Sequence, residues 1–191
     1  LEQADHVIAI EKDHRAVELL EGLAAAAGDR LTITEGDASR CAIWDMGVTP
    51  RRVIANLPYN IATSLLTGWL AHANSFESMT LMFQREVAER ITAMPGTAAY
   101  GRLSVLCQWL ANCEILFDIP PEAFVPAPKV VSSVVQIVPL SAPRFACDAD
   151  RLATVTRLAF GQRRKMLRSS LKSLGGAMLL EAAGIDPEKR P

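Results

Sequence analysis

The chain lacks a dominant charge of either sign. Its 20 Lys and Arg face 21 Asp and Glu over 191 residues, a net charge of −1, so the whole-chain balance points to no highly charged partner. It also lacks any sign of a disulfide or zinc framework. Cys41, Cys107, Cys113 and Cys147 form no C-x-x-C pair and show no zinc-ligand spacing with the three histidines. Free thiols fit a reducing cytoplasm, and no metal is expected. No apolar run reaches the length of a membrane span, and no basic-then-apolar leader pattern is present, so the expectation is a soluble cytoplasmic monomer with no membrane partner. Internal repeats and low-complexity tracts are missing too. What remains is ordinary globular composition, 50% hydrophobic and 21% charged. A chain of this length buries roughly 70% of its unfolded surface and needs no covalent staples.

The charge is unevenly placed. Residues 1–50 hold 4 Lys or Arg against 10 Asp or Glu, a balance of −6; residues 51–150 come to −1, and residues 151–191, with 9 against 3, to +6. The C-terminal end is therefore the part suited to a polyanion. Along the chain, Val7 to Ile10 is a short β-branched run. Asp13 can cap a helix whose apolar side includes Ala16, Leu19, Leu20 and Leu23. Leu31 to Thr34, Arg52 to Ala55 and Ser78 to Phe83 read as further strands, with helices over Ile61 to Ala73, Arg85 to Ala93 and Leu103 to Leu110. This alternation predicts an α/β fold with a mostly parallel sheet. Glu114 to Phe117 and Val130 to Val138 have only a Pro-rich loop between them, so they form an antiparallel terminal pair. Residues 139–148 read as a linker, followed by helices at Asp150 to Phe160, Arg163 to Leu174 and Ala177 to Ala183. The expected division is a Rossmann-like domain over 1–140 and a small helical domain over 141–191.

In an open parallel sheet the ligand sits at the carboxyl ends of the strands, and three of those ends carry polar residues. Glu11 can accept from the two hydroxyls of a ribose, though a strand-end acid that caps the next helix would look the same. Asp37 can accept from the exocyclic amine of an adenine, though an ordinary Gly-Asp turn is the commoner reading of that residue alone. The third end, Asn56-Leu57-Pro58-Tyr59, fits an [N/D]-x-P-aromatic pattern. The Asn56 side-chain oxygen and the Leu57 or Pro58 carbonyl could accept both N–H bonds of an adenine amine. Its delocalised lone pair would then be drawn toward tetrahedral geometry and aimed at an electrophile. Pro58 stiffens the turn, and Tyr59 offers a face for an unpaired base, an interaction of roughly 1–3 kcal/mol. Pro126 and Pro128 could hold Phe124 over the same pocket, although a Phe beneath such a loop more often fills core. Near the C-terminus, Arg163, Arg164, Lys165, Arg168 and Lys172 are the candidate RNA contacts. Arg164, Arg168 and Lys172 recur at helical spacing opposite Leu167, Leu171 and Leu174, so a cationic helix face is expected.

Taken together, these stretches resemble the KsgA family of small-subunit ribosomal RNA adenine dimethyltransferases. The likeness runs through Val7 to Asp13, Glu35-Gly36-Asp37-Ala38, Asn56 to Asn60, Phe83 to Arg90, Tyr100 to Val105, Phe124 to Val130 and Phe160 to Leu171. It implies a class I methyltransferase fold with S-adenosylmethionine as cofactor. It also implies dimethylation of two adjacent adenosines near the 3′ end of small-subunit rRNA, in the immature subunit. By the same resemblance Glu11, Lys12, Asp37, Ala38 and Asn56 line the cofactor site, while Asn56, Leu57, Pro58, Tyr59 and Phe124 hold the target base. The family places a Gly-rich loop after its first strand, and no such loop stands ahead of Val7. With Leu as residue 1, the expectation is an N-terminally shortened piece, incomplete at its far end too, with weak cofactor binding and little activity of its own. Two other functions fit parts of the pattern: a non-catalytic RNA-binding assembly factor on the same scaffold, and a large-subunit rRNA adenine methyltransferase of the antibiotic-resistance type. A nicotinamide enzyme using Glu11 on its ribose leaves the N-L-P-Y strand end without a purpose.

Overall fold

Asp13 and Asp148 each start a helix by serving its unpaired first turn, and Pro58 starts another. The computed structural model describes residues 3–191. β1 (Val7–Glu11) is followed by α1 (His14–Ala27), β2 (Leu31–Glu35), β3 (Arg52–Asn56), α2 (Tyr59–Leu70), β4 (Ser78–Gln84), α3 (Arg85–Thr92) and α4 (Arg102–Leu110). The chain continues through β5 (Ala111–Ile119), β6 (Ser132–Pro139), α5 (Ala149–Gly161), α6 (Leu167–Ser170) and α7 (Gly176–Ala182). Asp13 caps α1 by accepting from the Arg15 N–H at 3.0 Å, and Asp148 caps α5 through the Arg151 N–H at 2.8 Å.

β1 and β2 pair in parallel from Val7–Leu31 to Glu11–Glu35. The larger sheet has the order β3-β4-β6-β5: β3 and β4 are parallel, and β6 runs antiparallel to both β4 and β5. The expected antiparallel terminal pair is β5–β6, and the architecture is the expected α/β one. It departs in one respect. Among the described residues the two sheets are separate, with no ladder joining β1 to β3. Ile54 on β3 is 83% exposed.

The core lies on the larger sheet. Leu66 and Trp69 of α2, Met79, Leu81 and Phe83 of β4, Ile91 of α3, Cys107 of α4 and Ile137 of β6 form one buried cluster. Burial there pushes the Cys113 thiol up to about 12 and raises that of Cys107 as well, so both behave as small apolar side chains. Ala159, Leu171 and Leu180 form a second, smaller cluster that joins α5 to the short C-terminal helices. Arg144 ties the intervening segment down, donating to the Gln108 carbonyl at 2.6 Å and to Asn112 Oδ1 at 2.7 Å.

Two local expectations are corrected. Leu19 and Leu23 are not on a buried stripe: Leu19 is 84% exposed, because α1 covers only the two-stranded β1–β2 sheet, too narrow to bury a whole helix side. Nor is the stretch from Arg163 to Leu174 a single helix. α5 ends at Gly161, residues 162–166 turn, and only Leu167–Ser170 is α-helical before a 3₁₀ turn at Lys172–Leu174. The break has a tertiary cause. The Leu167 and Arg168 N–H groups donate to the Lys189 carbonyl at 2.7 Å and the Pro187 carbonyl at 3.0 Å, so α6 starts afresh there.

Candidate active site at the strand ends

Asn56 is the last residue of β3, in register with Met82 of the neighbouring strand. The chain then turns sharply, since Pro58, at φ −56°, is the N-cap of α2. The Pro58 carbonyl is already engaged, accepting from the Ile61 and Ala62 N–H groups at 3.0 and 3.1 Å. Of the two carbonyls the sequence offered at this turn, that of Pro58 is thus already accepting twice within the fold. Tyr59 opens α2, and its hydroxyl lies 2.6 Å from Ser132 Oγ. Asn56 to Tyr59 line one side of an open cavity of about 350 Å³; Phe124, Pro126 and Pro128 line it from the Pro-rich loop, together with Met82. Phe124 is thus at the cavity wall rather than beneath the loop. The size is that of a small-molecule or single-base site.

The two acids stand at the ends of paired strands. Glu11 Oε1 accepts from the Lys12 and Asp13 N–H groups at 2.7 and 2.8 Å, which fixes the carboxylate at the β1 terminus. Its own carbonyl accepts from the Gly36 N–H at 2.8 Å, holding the two strand ends together. Asp37 caps the 3₁₀ turn that begins at Ala38: Oδ1 accepts from the Ser39 N–H at 2.9 Å and hydroxyl at 2.6 Å, and Oδ2 from Lys12 Nζ at 2.8 Å. Lys12, then Ser39, holds the Asp37 carboxyl far below the usual carboxylate range. Asp37 is therefore an ionised acceptor with fixed geometry at neutral pH, and the Glu11 carboxylate is held in place by two backbone N–H groups.

The basic residues do not share one face. Arg163 is exposed but donates to the Tyr100 carbonyl at 2.7 Å, with its guanidinium 5.9 Å from the Phe160 ring centre. Phe160 meets Tyr100 edge-on at 6.0 Å. Arg168 pairs with Glu188 at 3.4 Å. Arg164, Lys165 and Lys172 are exposed, and the first two line a second open cavity with Phe160, Gln162 and Arg163. Glu86 and Arg90 form a simple ion pair one turn apart on α3.

The sequence reading passed over two residues. Met82 could have been found by applying the strand-end rule to β4, whose end lies beside Asn56. Ser132 had no local signal, since its partner is 73 residues away.

Parallel strands ending in fixed carboxylates, together with a polar turn that opens on an aromatic cavity, are the architecture of a Rossmann-like methyltransferase fold. The structure superposes on a dimethyladenosine transferase from Plasmodium falciparum with a TM-score of 0.77 and 28% identity, covering all of this chain and 71% of that one. The 23S rRNA methyltransferase ErmE shares the fold, with a TM-score of 0.72 at 22% identity over 98% of this chain and 76% of that one. Residues 1–190 match the family model for ribosomal RNA adenine dimethylase, and the chain belongs to that family. It is 55% identical over 188 residues to the ribosomal RNA small subunit methyltransferase A of Rhodospirillum rubrum, covering 98% of this chain and 65% of that protein. Identity to the protein of the same name from Brucella canis is 53% over 196 residues, covering the whole chain and 70% of the relative. The chain thus spans about two thirds of the length of these relatives.

Proposed function

We propose that the whole protein is an S-adenosylmethionine-dependent rRNA dimethyltransferase acting on N6 of two adjacent adenosines near the 3′ end of small-subunit rRNA, as part of cytoplasmic small-subunit maturation. The observation that carries this reading is the Asn56–Tyr59 turn. It presents a side-chain amide oxygen and a peptide carbonyl, with Pro58's own carbonyl already spent on α2, at the mouth of a cavity walled by Tyr59 and Phe124. Two acceptors match the two N–H bonds of an adenine amine. Two rings match the faces of a base that has left its stack. Family membership and the names of the relatives support the same choice of substrate. S-adenosylmethionine supplies the electrophilic methyl group. The donor set fits it: Glu11, already fixed by two backbone N–H groups, for the ribose hydroxyls, and Asp37 for the adenine amine, with Lys12 and Ala38 flanking them.

The residues of the chain then do three things. Asn56 and the Leu57 carbonyl orient the amine nitrogen, Tyr59 and Phe124 hold the base plane, and the exposed cations Arg164, Lys165 and Lys172 meet phosphates outside the cavity. Residues 1–140 carry the first two tasks and residues 141–191 the third, a division that the separate C-terminal hydrophobic cluster supports. The test is methyl transfer from labelled cofactor by the whole protein to immature small subunits and to large-subunit RNA, read by mass spectrometry of nucleosides. Dimethyladenosine at adjacent positions in the small-subunit RNA is expected. Modification of large-subunit RNA alone, or RNA binding without any transfer, overturns the reading.

A further inference from the structure

Ser132 is fully buried at the start of β6, and its hydroxyl meets the Tyr59 hydroxyl at 2.6 Å. Everything around Ser132 is anchored. The preceding Val131 carbonyl accepts from the Arg85 N–H at 3.0 Å. Ser132 itself is in register with Gln84 on one side and Ile119 on the other. The following Ser133 donates to Asp118 Oδ1 at 2.6 Å, and Asp118 Oδ2 in turn accepts from Arg85 at 2.8 Å. Tyr59 is differently placed, half-buried at the first turn of α2 with its ring on the cavity. A tyrosine held only by its Cα can swing about its Cα–Cβ bond; one held at its hydroxyl by an immobile partner keeps its ring at one place on the cavity wall. The same hydrogen bond also ties Tyr59 to the chain segment that carries Phe124, eight residues upstream, so the two aromatic walls of the cavity share one anchor.

We propose that Ser132 is a positioning residue for methyl transfer, holding the Tyr59 ring at the place on the cavity wall where the target adenine stacks. This rests on the reading of the cavity as the target-base site. Ser132 touches neither base nor cofactor; it acts through Tyr59, and orientation of this kind governs turnover rather than RNA affinity.

The experiment compares Ser132→Ala, Tyr59→Phe, the double variant and Asn56→Ala in the whole protein. It measures kcat and KM for the RNA, and the fluorescence quenching of 2-aminopurine placed at the target position. Ser132→Ala and Tyr59→Phe are each expected to lower kcat about tenfold with KM changed by less than about twofold, and both to weaken the quenching. The double variant is expected to be no worse than either single one, because both remove the same bond. Recovery of kcat in the double variant overturns the proposal, since it reduces the effect to a buried hydroxyl left without a partner. Wild-type kcat and quenching in Tyr59→Phe overturn it as well, and that variant keeps the test open if Ser132→Ala does not fold. Asn56→Ala separates the two levels. Loss of transfer there with Ser132→Ala and Tyr59→Phe unaffected removes only Ser132's role, whereas retained transfer in Asn56→Ala removes the reading of the cavity itself.

Discussion

Asn56 is an exposed amide at a strand end, and nothing in the fold depends on it: its side chain makes no hydrogen bond among the described residues, and the buried neighbour Leu57 provides the packing there. Replacing it with Ala therefore removes one of two oriented acceptors and little else. Asn56→Ala is expected to lower methyl transfer by about 10²–10³, the usual range for loss of one preorganised polar contact to the reacting group, with RNA affinity changed by less than about twofold. A filter-binding measurement beside a methyl-transfer assay checks both halves, and parallel loss of the two rules out the orienting role. Asp37 supports a second residue-level prediction. Its folded carboxyl lies below the ordinary value of about 3.9, held there chiefly by the Lys12 ammonium and then by Ser39. A depressed folded value means that the stabilisation is fully present above the unfolded value and is lost as pH falls through the folded one. The melting temperature of Asp37→Asn is thus expected to trail the wild type by a constant amount from pH 7 to about 5. The gap then closes on further acidification below about pH 4. A gap that widens toward low pH contradicts the Lys12–Asp37 pairing.

Elements divide into those the local sequence dictates and those set by distant chain. The β3–α2 junction belongs to the first kind. Asn-Leu-Pro-Tyr carries its own instructions, because Pro58 cannot continue a strand ladder and favours a helix start while the residues before it are held extended, so the turn was legible at once. The capping of α1 by Asp13 and the pairing of β5 with β6 were legible for the same reason. The stretch from Arg163 to Leu174 belongs to the second kind. It holds neither Gly nor Pro and keeps helical spacing throughout, yet its middle is interrupted by carbonyls of Pro187 and Lys189, which no window over the segment contains. Ser132 escaped notice likewise, its partner lying on another element. The rebuilt C-terminal turn uses two adjacent positive-φ glycines, Gly175 at +116° and Gly176. Gly176 has φ +56°, and a Cβ there would stand 3.1 Å from the Arg168 carbonyl oxygen. Gly176→Ala is expected to cost about 1–2 kcal/mol, from the left-handed backbone and the close carbonyl together. Hydrogen exchange should show the added opening in α6 and α7, with the β4–β6 ladder protected as in the wild type. Uniform loss of protection across the large sheet would mean that the two hydrophobic clusters unfold as one.

At the scale of the molecule the charge gradient, −6 over residues 1–50 and +6 over residues 151–191, becomes a division of labour once the partners of each cation are known. Arg163 donates to the Tyr100 carbonyl and Arg168 pairs with Glu188, so at each of them a phosphate competes with an internal contact. Arg164 and Lys165 sit exposed in the turn after α5 and make no ion pair among the described residues. Counterion release makes each neutralised phosphate worth close to one unit of slope in log affinity against log salt, about 0.9 on a duplex and 0.7 on a single strand. Arg164→Ala with Lys165→Ala should therefore flatten the salt slope of RNA binding by about 1.5, weaken binding at low salt, and leave the melting temperature close to wild type. Arg168→Ala should do the reverse, lowering the melting temperature slightly, as expected for one exposed ion pair, with the slope unchanged. The contrast discriminates because the three side chains are alike in charge and lie within five residues of one another. A merely cationic C-terminus would give equal slope changes for all three. A built contact surface gives them only for the two side chains that the fold leaves free.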